Sequence, residues 1–231
     1  MYVESVSVLG SKATHMVGAT RIVSSPGKPV VFIVDDDISV RESLRPLIAQ
    51  AGWQPEVFAS ATEFLDHRAE ATPGCLVLDV SLPDLDGLEV QKRIADRTEL
   101  PIVFITGYGD IPMTVRAMRA GAVEFLTKPF VPDALLSAVR GAIERSRAVL
   151  DAQLAVRGLR ARFELLTPRE RQVMELVVDG RLNKEVGGEL GISEINVKAH
   201  RGRVMQKLQA GSLADLVRMA TSLGYSTRTD R

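Results

Sequence analysis

The stretch Val30-Val31-Phe32-Ile33-Val34 is an unbroken apolar run, mostly β-branched, that stops abruptly at Asp35-Asp36-Asp37. A strand with one wet face alternates apolar and polar residues. A run without alternation belongs to a strand covered on both faces, which is the habit of parallel sheets. Further strands are expected at 55–59, Cys75–Leu78, Ile102–Ile105 and Val123–Leu126. Between them apolar residues recur at helical spacing, as in Val40, Leu44, Leu47 and Ala51 before the stop at Gly52. Helices are expected at 60–70, 86–96, 111–120 and from 132 onward, with Pro46 bending the first. Five strands alternating with five helices describe an α/β doubly wound domain on a five-stranded parallel sheet.

The rest of the chain reads differently. Residues 1–28 show no sustained periodicity and run into Ser24-Ser25-Pro26-Gly27, the composition of a flexible leader. After Pro132 helix-forming residues continue to about Arg157, so a helical linker is expected over 149–163, with Gly158 a candidate interruption. Thr167-Pro168-Arg169-Glu170 then carries the signature of a fresh helix start. Threonine caps, proline suits the first turn, and the glutamate three residues on completes a capping box. Helices at 168–179, 183–190, 194–208 and 212–223, punctuated by Gly180, Gly191 and Gly211, give a small all-α domain over 164–231.

The formal net charge of zero conceals an asymmetry. Residues 28–130 hold sixteen acidic against ten basic side chains, a net of −6, whereas 167–231 hold eight against eleven, a net of +3. The two halves suit different partners. No stretch reaches the 18 or so apolar residues of a membrane span, and Met1 to Leu9 lacks the basic start of a secretory signal. One cysteine, Cys75, cannot form an internal disulfide. These features lead us to expect a cytoplasmic protein with no membrane partner.

Open parallel sheets bind ligands beyond the carboxyl ends of their strands. Here those ends carry Asp35-Asp36-Asp37, Asp79, Thr106 and Lys128. Crowded carboxylates repel and call for a cation, and hard oxygen ligands suit Mg²⁺. One carboxylate could then serve as nucleophile toward a phosphoryl donor. Each residue taken singly has a plainer role: Asp37 as a helix N-cap, Lys128 as a solvated lysine at a turn, Phe125 as a packed strand residue.

Taken together, Val34-Asp35-Asp36-Asp37, Leu78-Asp79, Leu82-Pro83-Asp84-Leu85-Asp86-Gly87, Ile105-Thr106-Gly107 and Lys128-Pro129-Phe130 resemble the receiver domains of two-component response regulators. The run from Thr106 to Phe130 looks like the FixJ subfamily. The resemblance spans a receiver domain over 29–148. It implies that Asp79 is phosphorylated by a sensor histidine kinase, and that Asp35, Asp36, Asp79 and the Ser81 backbone carbonyl hold Mg²⁺. It also implies that Thr106 and Lys128 contact the phosphoryl group, that Phe125 is the switch aromatic, and that the Lys128–Pro129 bond is cis. Ser81 and Tyr108 fall where the family lines the path of the hydrolytic water, and the bulky Tyr108 is expected to slow loss of phosphate.

In the second half, Val197, Val204 and Leu208 mark the buried stripe of the helix at 194–208. At 100° per residue, Lys198, Ala199, Gly202, Arg203 and Gln206 fall on the opposite face. Lys198, Arg201, Arg203 and Lys207 give four cations without an acid between 195 and 208, a face suited to the major groove. The plainer alternative is a solvated amphipathic helix. Leu166-Thr167-Pro168-Arg169-Glu170, Asn183-Lys184-Glu185-Val186 and Ile192-Ser193 with Val197-Lys198-Ala199-His200-Arg201 resemble the NarL/LuxR-type helix-turn-helix domain. That resemblance, with the face geometry, implies base contacts from Lys198, Ala199, Gly202 and Arg203, and phosphate contacts from Lys184, His200, Arg201 and Lys207. Arg201 projects nearer the buried side and could instead pack on the scaffold. Glycines at 187 and 188 are expected to soften the scaffold helix.

The expected function is a phosphorylation-dependent transcriptional regulator, not an enzyme acting on a separate substrate. It would form a homodimer on paired half-sites of promoter DNA, with RNA polymerase as a further partner. Two rivals are weaker. A phosphatase of the haloacid-dehalogenase class needs a second aspartate two residues after the nucleophile, where this chain has Ser81. An interaction module whose helical domain binds protein would lack the steep salt dependence of phosphate contacts.

Overall fold

The apolar runs form strands, and period two explains why they need not alternate. In a computed structural model, which describes residues 27–67, 72–107 and 111–225, the strands are β1 (Val30–Val34), β2 (Gln54–Phe58), β3 (Gly74–Asp79), β4 (Ile102–Thr106) and β5 (Glu124–Thr127). They form one parallel sheet in the order β2-β1-β3-β4-β5. Successive side chains point to opposite faces, so each run feeds two cores. Val30, Phe32, Val34, Leu76, Leu78 and Phe104 face one side. Val31, Ile33, Cys75, Val77, Val103 and Ile105 face the other.

Helices cover both faces. The first core is closed by α2 (Ala61–Asp66), α3 (Gly87–Arg93) and α4 (Ile111–Arg119), through Phe64, Val90 and Ala117. The second is closed by α1 (Ile38–Gln50) and α5 (Pro132–Glu164), through Leu44, Ile48, Leu135, Val139 and Ile143. Helix α1 continues through Pro46. Helices α2 and α3 are shorter than their composition suggests, six and seven residues long.

The 33-residue α5 passes Gly158 without a break. Gly158 is exposed with open space around it, so the helix loses propensity there but no packing. Helix α5 then serves both halves, because Leu159 and Phe163 join the third core with Val173, Met174, Val197, Val204, Leu208 and Leu216. That core belongs to α6 (Pro168–Val178), α7 (Asn183–Leu190), α8 (Glu194–Leu208) and α9 (Leu213–Ser222). The capping box at Thr167 and Glu170 is present. The two scaffold glycines differ: a Cβ on Gly187 would lie 2.7 Å from the Ile192 carbonyl oxygen, while Gly188 has open space. Gly187 therefore permits the tight turn between α7 and α8 rather than merely softening a helix. The expected leader lies outside the described residues. Among the described residues no helix is long and apolar enough to cross a membrane.

Candidate functional site

Parallel pairing brings the strand ends level. Val34 pairs with Leu78, Asp79 with Ile105, and Thr106 with Thr127, so the next polar residues emerge at one sheet edge. Asp35 and Thr106 are fully buried, Asp79 nearly so, and Asp36 is exposed. Carboxylate oxygens of Asp35, Asp36 and Asp79 lie within 4.8 Å of one another. The Lys128 ammonium donates to Asp35 Oδ2 at 2.6 Å and to Asp79 Oδ2 at 2.7 Å. The second oxygens are held by backbone: Asp35 Oδ1 accepts from the Asp37 amide at 3.0 Å, and Asp79 Oδ1 from the Ser81 amide at 3.0 Å. A guanidinium nitrogen of Arg41 reaches the Asp35 carbonyl at 2.6 Å, tying α1 to the end of β1.

Three carboxylates face one ammonium, so the pocket carries an excess of negative charge. Burial pushes the Asp35 carboxyl above the usual aspartate range, and the bonds from Lys128 and the Asp37 amide only partly offset it. Burial by itself would depress the Lys128 ammonium, but its bonds to Asp35 and Asp79 win and hold it above the ordinary lysine value. Asp37 stands apart as the α1 N-cap: its carboxylate accepts from the Ser39 amide at 2.8 Å, which lowers its pKa. Gly87 begins α3 directly against the end of β3, where any Cβ would meet the Asp79 carbonyl oxygen at 2.5 Å. The Lys128–Pro129 bond is cis. Phe125 is half-buried, with its ring 6.1 Å from Phe104. Tyr108 lies outside the described residues.

The donor chemistry fits a small dication. Asp35, Asp36 and Asp79 supply hard oxygens, and with Lys128 between them two negative charges remain uncompensated. The acidic pocket expected of a receiver domain is thus assembled.

In the helical half, Lys198, Ala199, Gly202, Arg203 and Gln206 are all exposed on one face of α8, while Val197, Val204 and Leu208 are buried. Lys184 is exposed near the start of α7. His200 and Arg201 are set back and half-buried, and Arg201 reaches Asn183 Oδ1 at 3.5 Å. Lys207 has a different occupation from the phosphate contact expected of it. Its ammonium donates to Glu170 Oε2 at 2.7 Å and to the Leu165 carbonyl at 3.0 Å. Glu170 is 2 % exposed. Burial raises its pKa, but the Lys207 bond and the Thr167 amide and hydroxyl outweigh that and hold it below the ordinary value. Lys207 thereby fastens α8 to the end of α5. Arg162 does the same, donating to Gln209 Oε1 at 2.6 Å. Neither pairing is visible locally, since its members lie 37 and 47 residues apart. The Lys198 ammonium sits 3.3 Å from Glu194, an i,i+4 pair whose spacing is readable from the sequence.

Comparison with known proteins agrees with this geometry. Residues 31–140 match the response regulator receiver domain family, and 164–220 match the luxR family of bacterial regulatory proteins. Nodulation protein W of Bradyrhizobium diazoefficiens is 52 % identical over 86 % of this chain and 88 % of its own. Transcriptional regulatory protein FixJ of the same organism is 40 % identical over 84 % of this chain and 95 % of its own. Among solved structures, the response regulator StyR is 49 % identical with a TM-score of 0.74, covering 84 % of this chain and 98 % of that one. Full-length FixJ from B. japonicum is 40 % identical with a TM-score of 0.51, covering 87 % and 99 %.

Proposed function

The chain belongs to the FixJ-type response regulators, two-component transcriptional regulators that join a receiver domain to a LuxR-type DNA-binding domain, and we propose that Asp79 is the residue through which it is switched. The observation that carries this is the convergence of Asp35, Asp36, Asp79, Thr106 and Lys128 at one sheet edge, with Lys128 bonded to two of the acids. An Asp79 carboxylate oxygen attacks the phosphorus of a phosphohistidine on a sensor kinase. The P–N bond breaks and its electron pair stays with the imidazole. Asp35, Asp36, Asp79 and the Ser81 carbonyl would hold Mg²⁺, which would supply positive charge to offset that of the phosphoryl oxygens. The chain acts here on itself, taking up and losing a phosphoryl group.

Thr106 and Lys128 then contact the new oxygens. Two charge-assisted bonds contribute about 1.5–3 kcal/mol each, comparable with the roughly 5.5 kcal/mol that inverts a 1:99 population. Phe125, opposite Phe104 on the edge strand β5, would be the switch aromatic that turns inward as Thr106 moves toward the phosphoryl group. The outcome is a homodimer whose two α8 helices reach paired half-sites at raised effective concentration. Lys198, Ala199, Gly202 and Arg203 face bases, Lys184, His200 and Arg201 face phosphates, and RNA polymerase reads the assembled promoter complex. Mass spectrometry after incubation with acetyl phosphate and Mg²⁺ tests the first step. One phosphoryl group on the peptide containing Asp79 is expected. An unmodified protein, or modification only elsewhere, overturns the reading.

A further inference from the structure

Helix α8 carries one large apolar side chain that its own core does not use. Val197, Val204 and Leu208 are buried, but Ile195 is 78 % exposed, and it is the only member of α8 among the exposed large hydrophobics of the described residues. Isoleucine is no better than a middling helix former, so neither packing nor propensity accounts for it there. Its position does. Ile195 lies three and four residues before Lys198 and Ala199, and seven before Gly202, which places it on the face directed at DNA. It also lies in the first turn after the Ser193 cap, and the N-terminal residues of a recognition helix are those that contact base edges.

The neighbouring Glu194 carboxylate lies 3.3 Å from the Lys198 ammonium, so the bare Ile195 side chain sits beside a paired charge in the first turn of α8. A branched hydrocarbon can neither donate nor accept a hydrogen bond. The one apolar group that base pairs present in the major groove is the thymine 5-methyl.

We propose that Ile195 is a specificity-determining residue that packs on the 5-methyl group of a thymine in each half-site. This rests on α8 being the helix that reads DNA. Ala199 and Gly202, both exposed, leave the clearance that lets the helix come close enough for that contact.

The test uses the full chain, treated with acetyl phosphate and Mg²⁺, to select duplexes from a randomised library. Each thymine of the selected site is then replaced in turn by deoxyuridine, which removes only the methyl group. One position per half-site is expected to weaken wild-type binding about fourfold, the loss for one buried carbon at about 0.8 kcal/mol. Ile195→Ala is expected to bind the thymine and deoxyuridine sites alike, and Ile195→Val to keep the preference. Because Ile195 is exposed, the variants should melt like the wild type. The proposal is overturned if deoxyuridine is tolerated everywhere, or if Ile195→Ala retains the thymine preference. A wild-type chain that selects no sequence, with affinity insensitive to salt, overturns the DNA-binding reading itself.

Discussion

Each half of the molecule buries a carboxylate against a lysine, and the two arrangements do opposite things. In the helical half the Glu170 carboxylate faces one ammonium, that of Lys207, and also accepts from the Thr167 amide, while the Glu170 amide donates back to the Thr167 hydroxyl oxygen. The charges balance, and Glu170 is held below its ordinary pKa. In the receiver half Lys128 stands between Asp35 and Asp79 with Asp36 close by. The charges do not balance there, and it is burial, far more than the neighbouring acid, that pushes Asp35 above its ordinary pKa. A balanced buried pair is a fastener. An unbalanced one keeps an excess of negative charge that suits a cation.

The sharpest way to break this contrast is to remove the lysine from the balanced pair. Lys207→Met leaves Glu170 buried without its ammonium. Stability should fall by about 2 kcal/mol, below the roughly 3–5 kcal/mol of fully buried pairs, because Lys207 is partly exposed. Denaturant unfolding of the two proteins measures it. The pH dependence should reverse as well. In the wild type a depressed folded pKa contributes stability above the ordinary glutamate value of 4.5, lost as pH falls through the lowered value. In Lys207→Met the buried carboxyl loses its main support, so the deficit should shrink as pH falls and Glu170 becomes neutral.

A smaller effect of opposite sign is expected when one acid is removed from the unbalanced site. Asp79→Asn should raise stability by about 1 kcal/mol in Mg²⁺-free buffer, a few degrees in thermal midpoint. Glu170→Gln should lower it by a similar amount. Millimolar Mg²⁺ should raise the wild-type midpoint, and raise that of Asp79→Asn less. If both neutralising substitutions shift stability the same way, the contrast is wrong.

The smallest expected effect is no change at all. Lys207→Met should leave the slope of log affinity for DNA against log salt unaltered, because its ammonium is committed to Glu170 and Leu165. Lys184→Met should make that slope shallower by about 0.9, the value for one phosphate contact. A matching loss for Lys207→Met would return that residue to the DNA interface.

Much of this was legible in the sequence, for identifiable reasons. Parallel strands buried on both faces leave unbroken apolar runs, so β1, β3 and β4 stand out, and their ends announce Asp35, Asp79 and Thr106. The switch from alternating elements to capped short helices marked Thr167. What stayed hidden depends on distance along the chain. Nothing near Lys207 indicates that it meets Glu170, and as one of four cations on a helix without a nearby acid it reads as a phosphate contact. Gly158 reads as a breaker but sits in a helix whose continuation is secured by Leu159 and Phe163 in the third core. Ile195 is silent in the sequence because an apolar residue among the cations of α8 carries no charge signal, and only its exposure sets it apart.

The central claim is that chemistry at Asp79 governs a cationic helix in another domain. Fluorescence anisotropy on a duplex selected by the full chain tests it, using wild type and Asp79→Asn with and without acetyl phosphate and Mg²⁺. The donor should tighten wild-type binding at least about fivefold, the lower range of allosteric coupling, and should leave Asp79→Asn unchanged. Equal affinities with and without donor in the wild type, or equal tightening in Asp79→Asn, would contradict the account.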